Sequence, residues 1–357
     1  MAGSRLGSPH WQRLVRGMTR GLTRGIAGAA ALIAVVTVVS RAAGFGRYLV
    51  FAHTVGGTCL GTAYFTANMI PNIVFDIVVG GALSSMVVPV LAGPAARRDT
   101  DHVRQVSSAL LTWSCLLLVP LVVAGVFVAE PLVRLFAQSP LGCAGAQVVA
   151  VASRMLIVFL PQLVLYGVAA VAYGVLQAHR RFLAPAAAPL ANSLVVSAAY
   201  IAFVPFGGGR QDSLGRLPFD AELILSIGTT LGVAALALTA AIPLARLRLR
   251  LRPNLSFPPG VAGRVRRLAA AGVAALVAQQ LATAVVIALA NGYGGRGTLP
   301  LYNYAWALYL VPYAVLAVPI ATSAFPTLSA RASAGDAPGF AKTAAATTRA
   351  VLLVSLA

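Results

Sequence analysis

Apolar stretches long enough to cross a bilayer follow one another along this chain with only short polar breaks between them. A crossing helix needs about 20 apolar residues. Runs of that order lie at 26–52, 61–93, 107–136, 146–177, 184–206, 221–246, 265–291 and 300–330, and a ninth begins near 343. In hydrocarbon every backbone N–H and C=O must be satisfied within the protein, which leaves helical bundles and closed barrels. Runs this long exclude barrel strands of about 10 residues. The expected fold is an all-α polytopic membrane protein. Hydrophobic residues at 59% and charged residues at 10% fit that class and not a soluble domain.

Lysine and arginine in the breaks orient the bundle. With the N-terminus on the cytoplasmic side, the outer segments hold only Arg134, Arg154, Arg210, Arg216 and Arg296. The inner segments hold 20 of the 27 basic residues, and the remaining two, Arg41 and Arg47, lie inside the first run. A net charge of +19 could signal nucleic acid, but arginines spread between spans are explained by membrane orientation, and no nucleic-acid partner is expected. The basic start resembles a signal peptide, yet its apolar stretch outruns an h-region and eight more runs follow. It reads as an uncleaved first span.

The longest polar break, ARLRLRLRPNLSFPPG from Ala245 to Gly260, divides six spans from three. The expected organisation is a basic cytoplasmic segment 1–25, a first lobe 26–246, a cytoplasmic linker 247–263 and an incomplete second lobe 264–357. A faint repeat crosses the break: Tyr64 and Ala67 match Tyr302 and Ala305, while Pro89 and Leu91 match Pro326 and Leu328. It fits a two-lobed transporter whose seventh span restarts the pattern of the first.

A charge at the bilayer centre costs about 2.5–3.5 kcal/mol on insertion scales, so Arg41 and Arg47 need a reason. Arg41 lies roughly 22 Å along its helix, and Arg47 about 9 Å further at 1.5 Å per residue. Arg47 either snorkels to the outer headgroups or lines an aqueous cavity with Arg41. In a cavity both would bind an anionic group, since guanidinium is suited to phosphate. Six residues place them about 120° apart on one helix, and Gly44 and Gly46 between them are hinge candidates. Asp76, read as the only acidic residue deep in a span, could pair with one arginine. Span two, roughly 50 Å long if straight, is expected to bend at Pro71. Neutral polar residues in the spans are Asn68, Asn72, Gln162, Asn192, Gln279, Gln280 and Asn303. Asn72 and Gln280 rank first as cavity candidates, because span seven should hold in the second lobe the place of span one.

An enzyme would need carboxylates or histidines converging at one place. The eight acids are scattered, and the cluster in RRDTDHVR at 97–104 reads as a solvated turn between arginines. Cys59, Cys115 and Cys143 form no CxxC pair, so neither a disulfide framework nor a zinc motif is expected. No cofactor and no metal are implied, and no coupling ion is specified.

The ordered segments SRAAGFGR, TVGGTCLGTAYFTANMIPN and GGALSSMVVPVLAG resemble the first two spans of the MurJ (MviN) lipid II flippases. These belong to the multidrug/oligosaccharidyl-lipid/polysaccharide flippase superfamily. The resemblance continues through FLPQLVLYGVAAVAYGVLQAHRRFLAPAAAPLANS at 159–193 and LYNYAWALYLVPYAVLAVPIATSAFPTLS at 301–329. It implies a two-lobed flippase fold of which about nine of fourteen transmembrane helices are present, the sequence stopping early in the ninth. It also implies movement of undecaprenyl-diphosphate-linked peptidoglycan precursor across the bacterial cytoplasmic membrane by alternating access. Arg41 and Arg47 fall on the family's two first-helix cavity arginines. Other charged positions of the family are neutral or altered here: Tyr48, Thr62, Phe75, Asp76, Gly80, Ala307 and Leu310. The expected function is lipid II transport for peptidoglycan synthesis, with lipid II and the bilayer as partners and cell-wall synthesis proteins as further ones. The alternatives are a flippase for another lipid-linked oligosaccharide, a drug exporter, and a non-transporting membrane scaffold.

Overall fold

The computed structural model describes residues 32–33, 35–77, 84–137, 142–179, 181–207, 209–312, 324, 328, 331 and 335–356. Within these the chain is helical, with no strand. The helices are α1 (Val35–Thr54), α2 (Cys59–Phe75), α3 (Ser84–Ala96), α4 (Thr100–Phe127), α5 (Ala129–Phe136), α6 (Gly145–Phe159), α7 (Gln162–Ala178), α8 (Leu183–Gly207), α9 (Phe219–Ala245), α10 (Val261–Gly292), α11 (Thr298–Pro312) and α12 (Ala337–Leu356). Six of the described segments are long and apolar enough to cross a membrane: α1, α4, α6 with α7, α8, α9 and α10. The expected second and eighth spans are only partly covered. Residues 78–83 between α2 and α3, and most of 313–334, lie outside the described residues, as do the N-terminal segment and Gly80.

Local chemistry sets several boundaries. Thr58 caps α2, its Oγ1 accepting the Gly61 N–H at 3.1 Å. Asp99 caps α4 through the His102 N–H at 3.0 Å, and Asp101 in the first turn faces the positive end of the helix dipole. α6 and α7 form one span, Gly145–Ala178, jointed at Leu160 and Pro161, where proline has no N–H to give the ladder. Pro71 lies inside α2 without breaking it. The helix runs through it, and the departure from α geometry comes at a π turn at Asp76 and Ile77. α1 likewise runs unbroken through Gly44 and Gly46. A Cβ at Gly44 would meet Ser193 Oγ at 3.9 Å, an ordinary contact, and one at Gly46 would meet nothing within 4 Å.

The core lies among α1, α2, α6, α8 and α9, where Phe51, Leu60, Phe159, Phe203 and Leu225 are fully buried. α8 and α9 pack closely against each other. A Cβ added at Gly228 would stand 2.1 Å from Ala199 Cβ, and one at Gly232 2.3 Å from Val196 Cγ2. Two glycines four residues apart let the helices touch along one stripe, the usual way membrane helices gain packing without a hydrophobic drive. Outward, α4 presents Leu116, Leu117, Val119 and Val123 to the surroundings, as a lipid-facing helix must.

One end of the bundle is tied by covalent and polar bonds. Cys59 and Cys143 are joined by a disulfide, their Cα atoms 5.7 Å apart, while Cys115 is free. This corrects the expectation of no disulfide: the two cysteines are 84 residues apart and meet only because the chain entering α6 returns over the start of α2. Asp212 accepts the Cys59 N–H at 3.0 Å and pairs with Arg296 at 3.0 Å. Asn291 donates to Thr66 Oγ1 at 2.8 Å and to the Phe136 carbonyl at 2.9 Å. Gly297 (φ +79°) packs so close to Gly57 that a Cβ would stand 2.4 Å from the Gly57 carbonyl oxygen. α10 and α11 are thus stitched to α2 and its neighbours at this end.

Candidate functional site

Arg47 opens onto a cavity of about 150 Å³ walled by α1, α2, α7, α8, α9 and α11. Arg47 is half-buried, and its guanidinium donates to Asn192 Oδ1 at 3.0 Å and lies 5.4 Å from the centroid of the Tyr48 ring. Around it stand Asn68, Asn72, Gln162, Tyr166, Tyr200 and Asn303. No carboxylate lines the cavity, so its only permanent charge is positive. A guanidinium out of bulk water with one neutral acceptor is incompletely compensated, and an anion is the ligand that offsets it.

The hydroxyls of the wall have a direction. Thr229 donates to the Leu225 carbonyl at 2.7 Å, so its oxygen accepts from Tyr64 at 2.8 Å; Tyr64, its single proton spent, accepts from Tyr200 at 2.7 Å. Asn72 donates to Asn68 Oδ1 at 2.9 Å, one helical turn back, leaving the Asn68 amide protons and the Asn72 oxygen for the cavity. Gln162 donates to Thr230 at 2.9 Å, and its oxygen is buried without a protein partner.

A second, open groove of about 550 Å³ shares Arg47, Tyr48 and Asn192 with the cavity and adds Arg41, Val38, Phe45, Trp306, Leu308 and Leu310. The Arg47–Asn192 pair therefore stands between the two spaces. Arg41 is exposed in the groove, without an ion-pair or hydrogen-bond partner among the described residues. The structure thus brings both arginines to one groove, with Arg47 alone turned inward; snorkelling does not describe Arg47 here.

Other candidates fall elsewhere. Asp76 pairs with neither arginine, contrary to the expected ion pair. Its carboxylate accepts from Gln280 Nε2 at 3.1 Å, which ties α10 to the end of α2 outside the cavity wall. Asn72 is a cavity residue and Gln280 is not. Asp76 is half-buried, whereas an acid in the first turn of α9 is packed away from solvent. Glu222 in α9 is 3% exposed and holds Arg154 through two bonds of 2.9 and 2.7 Å.

A family model described as lipid II flippase MurJ matches residues 51–357. The chain belongs to this family. It is 27% identical to the lipid II flippase MurJ of Burkholderia cenocepacia over 308 residues, covering 82% of the chain and 55% of that protein. To the probable lipid II flippase MurJ of Rhizobium tropici it is 24% identical, covering 84% and 54%. The chain thus spans about half the length of these relatives. In fold it resembles a solved lipid II flippase MurJ in an inward closed conformation, with TM-score 0.69 and 20% identity over 91% of this chain and 63% of that one. This is a multi-pass membrane protein of a transporter family.

The positions that the sequence resemblance marked as altered lie in several places. Tyr48 lines the cavity, and Phe75 packs on Tyr166 with ring centroids 4.1 Å apart. Thr62 accepts the Gly297 N–H at 3.3 Å at the tied end, while Ala307 and Leu310 line the groove. Sequence reasoning missed the tyrosines. Tyr64, Tyr166 and Tyr200 count as hydrophobic in a span, and the hydroxyl that matters is hidden by an apolar ring. The one available signal was that each sits in a helix with a second polar residue one turn away or nearer: Asn68, Gln162 and Ser197.

Proposed function

We propose that the full-length protein flips lipid II, the undecaprenyl-diphosphate-linked peptidoglycan precursor, across the bacterial cytoplasmic membrane by alternating access, and is not an enzyme. The observation that carries this reading is Arg47, held by a neutral partner between a polar cavity without carboxylates and an open, largely apolar groove. That placement suits a ligand with an anionic diphosphate joined to a lipid. Arg47 and Arg41 engage the diphosphate, and the neutral wall meets the sugar hydroxyls. Gly44, Gly46, Pro71 and the π turn are the positions at which the spans adjust as the lobes 26–246 and 264–357 move about the linker 247–263.

The N-terminus lies in the cytoplasm in this reading. The arginine-rich linker then faces inward, and Cys59–Cys143 faces the exterior, where disulfides persist. The deciding experiment is complementation in cells depleted of their own lipid II flippase. The full-length protein should restore growth, and Arg47→Ala at equal membrane abundance should not. Failure of the well-expressed wild type to restore growth sinks the assignment. The neutral residues Thr62, Phe75, Ala307 and Leu310 favour one second reading, a different lipid-linked glycan. Direct assay of lipid II translocation in vesicles separates the two.

A further inference from the structure

The linker between α9 and α10 repeats a two-residue pattern: Arg246, Leu247, Arg248, Leu249, Arg250, Leu251, Arg252. The leucines are half-buried, with Leu247 and Leu249 against the cluster of Val87, Val90, Leu91 and Val103, whereas all four arginines are exposed. Arg248 (φ 52°) and Arg250 (φ 45°) hold left-handed backbone that side-chain-bearing residues seldom adopt, so the strap keeps them outward against a local preference.

Beyond the arginines the strap is bonded along α4. The Arg252 N–H donates to Ser108 Oγ at 3.2 Å, the Asn254 N–H to Thr112 Oγ1 at 3.0 Å, and Trp113 Nε1 to the Leu255 carbonyl at 3.0 Å. Between strap and helix lies a recess of about 450 Å³ lined by Asp101, Arg104, Gln105, Ser108, Arg250, Arg252, Asn254 and Ser256. Its one carboxylate, Asp101, is already paired with Arg104 at 3.0 Å. Among the described residues, the side chains of Arg250 and Arg252 have no partner.

Depth decides what fills such a recess. Ala109 to Val128, the apolar part of α4 and the residue after it, is about 30 Å long at 1.5 Å per residue, which matches the hydrocarbon core. Trp113 is 48% exposed near the start of that stretch, and Leu116 and Leu117 beyond it are 52% and 60% exposed. A tryptophan with its N–H bonded and its ring outward marks the polar–apolar boundary of a membrane. The recess therefore sits at headgroup level, beside the outward-facing Trp113.

We propose that this recess binds the phosphate of an anionic phospholipid in the leaflet on the linker's side of the bundle. Arg250 and Arg252 grip the phosphate, Arg104 supports them, and the acyl chains lie along Leu116 and Leu117. Guanidinium pairs bind phosphate oxygens in a two-pronged fashion, and basic clusters beside a span attract anionic lipid. The site is separate from Arg47, and the proposal stands or falls independently of what the protein transports.

The test uses the purified full chain carrying Trp11→Phe and Trp306→Phe, so that Trp113 is the sole tryptophan, in phosphatidylcholine vesicles. Brominated phosphatidylglycerol should quench Trp113 several-fold more than the same fraction of brominated phosphatidylcholine. R250Q/R252Q should bring the two lipids to parity, and R216Q, at the other end of the bundle, should keep the difference. If the double variant does not reconstitute, R252Q alone is judged by the same criterion. Parity in the parent protein, or a difference that survives R250Q/R252Q, overturns the proposal. Added inorganic phosphate should leave the preference unchanged, and its loss under free phosphate overturns the assignment to a membrane lipid.

Discussion

Arg47 matters through its incomplete company. Its guanidinium has one side-chain acceptor, Asn192 at 3.0 Å, and a cavity beside it with no carboxylate. Arg47→Lys keeps the charge but loses the planar fork, so complementation should fall well below wild type while the protein remains folded. Asn192→Ala should act more mildly, because the guanidinium stays and only its aim is lost; net loss of one hydrogen bond to a charged group is worth about 1.5–3 kcal/mol. Growth rescue at matched membrane abundance ranks the two. Rescue by Arg47→Lys equal to wild type would show that a point charge suffices. Glu222 is the opposite case, a buried acid whose need is met by Arg154 through two bonds. Glu222→Ala should lower stability by about 1–3 kcal/mol, at the low end because Arg154 is half in water. Unfolding of the purified protein in detergent measures it.

Among the elements, the α8–α9 pair and the start of α2 carry the clearest constraints. A leucine at Gly232 has no room against Val196 Cγ2 and the Asn192 carbonyl, so Gly232→Leu should push α9 from α8. The expected cost is about 1–3 kcal/mol, with a loss of rescue, because Asn192 moves with α8. Gly46→Ala, which meets nothing within 4 Å, is the matched control and should be silent in stability. The Cys59–Cys143 bond ties α2 to the chain entering α6. Reduction, or Cys143→Ser, should lower the unfolding temperature, in line with about 2–4 kcal/mol for a typical disulfide. Cys115→Ser should change nothing. Equal melting with and without reductant would mean that the bond adds no stability.

For the whole molecule, the tied end is what any opening toward that side must break: Asp212–Arg296, the Asn291 bonds and the Gly57–Gly297 contact. Thr66 and Asn291 already touch at 2.8 Å. Thr66→Cys with Asn291→Cys in a Cys115→Ser background should, once oxidised, lock α2 to α10 and abolish transport. Reductant should restore it, with the single-cysteine variants as controls. Transport that persists through a fully formed crosslink would show that this end need not open.

The all-α membrane class, the break before α10 and the presence of two arginines within the first apolar helix were legible from residues 26–330 without coordinates, since hydropathy and charge are properties of the chain. Bilayer physics then leaves little choice of secondary structure. Partnership was not legible. Arg47 meets Asn192 across 145 residues, Asp76 meets Gln280 across 204, and Cys59 meets Cys143 across 84. Helix periodicity tells which face a residue occupies but not which helix lies opposite. For that reason Asp76 proved to meet a glutamine instead of either arginine, the disulfide was missed, and the tyrosines of the cavity were not singled out. Polar groups in a low-dielectric interior find whatever partner packing brings within reach, and packing is decided by the assembled bundle.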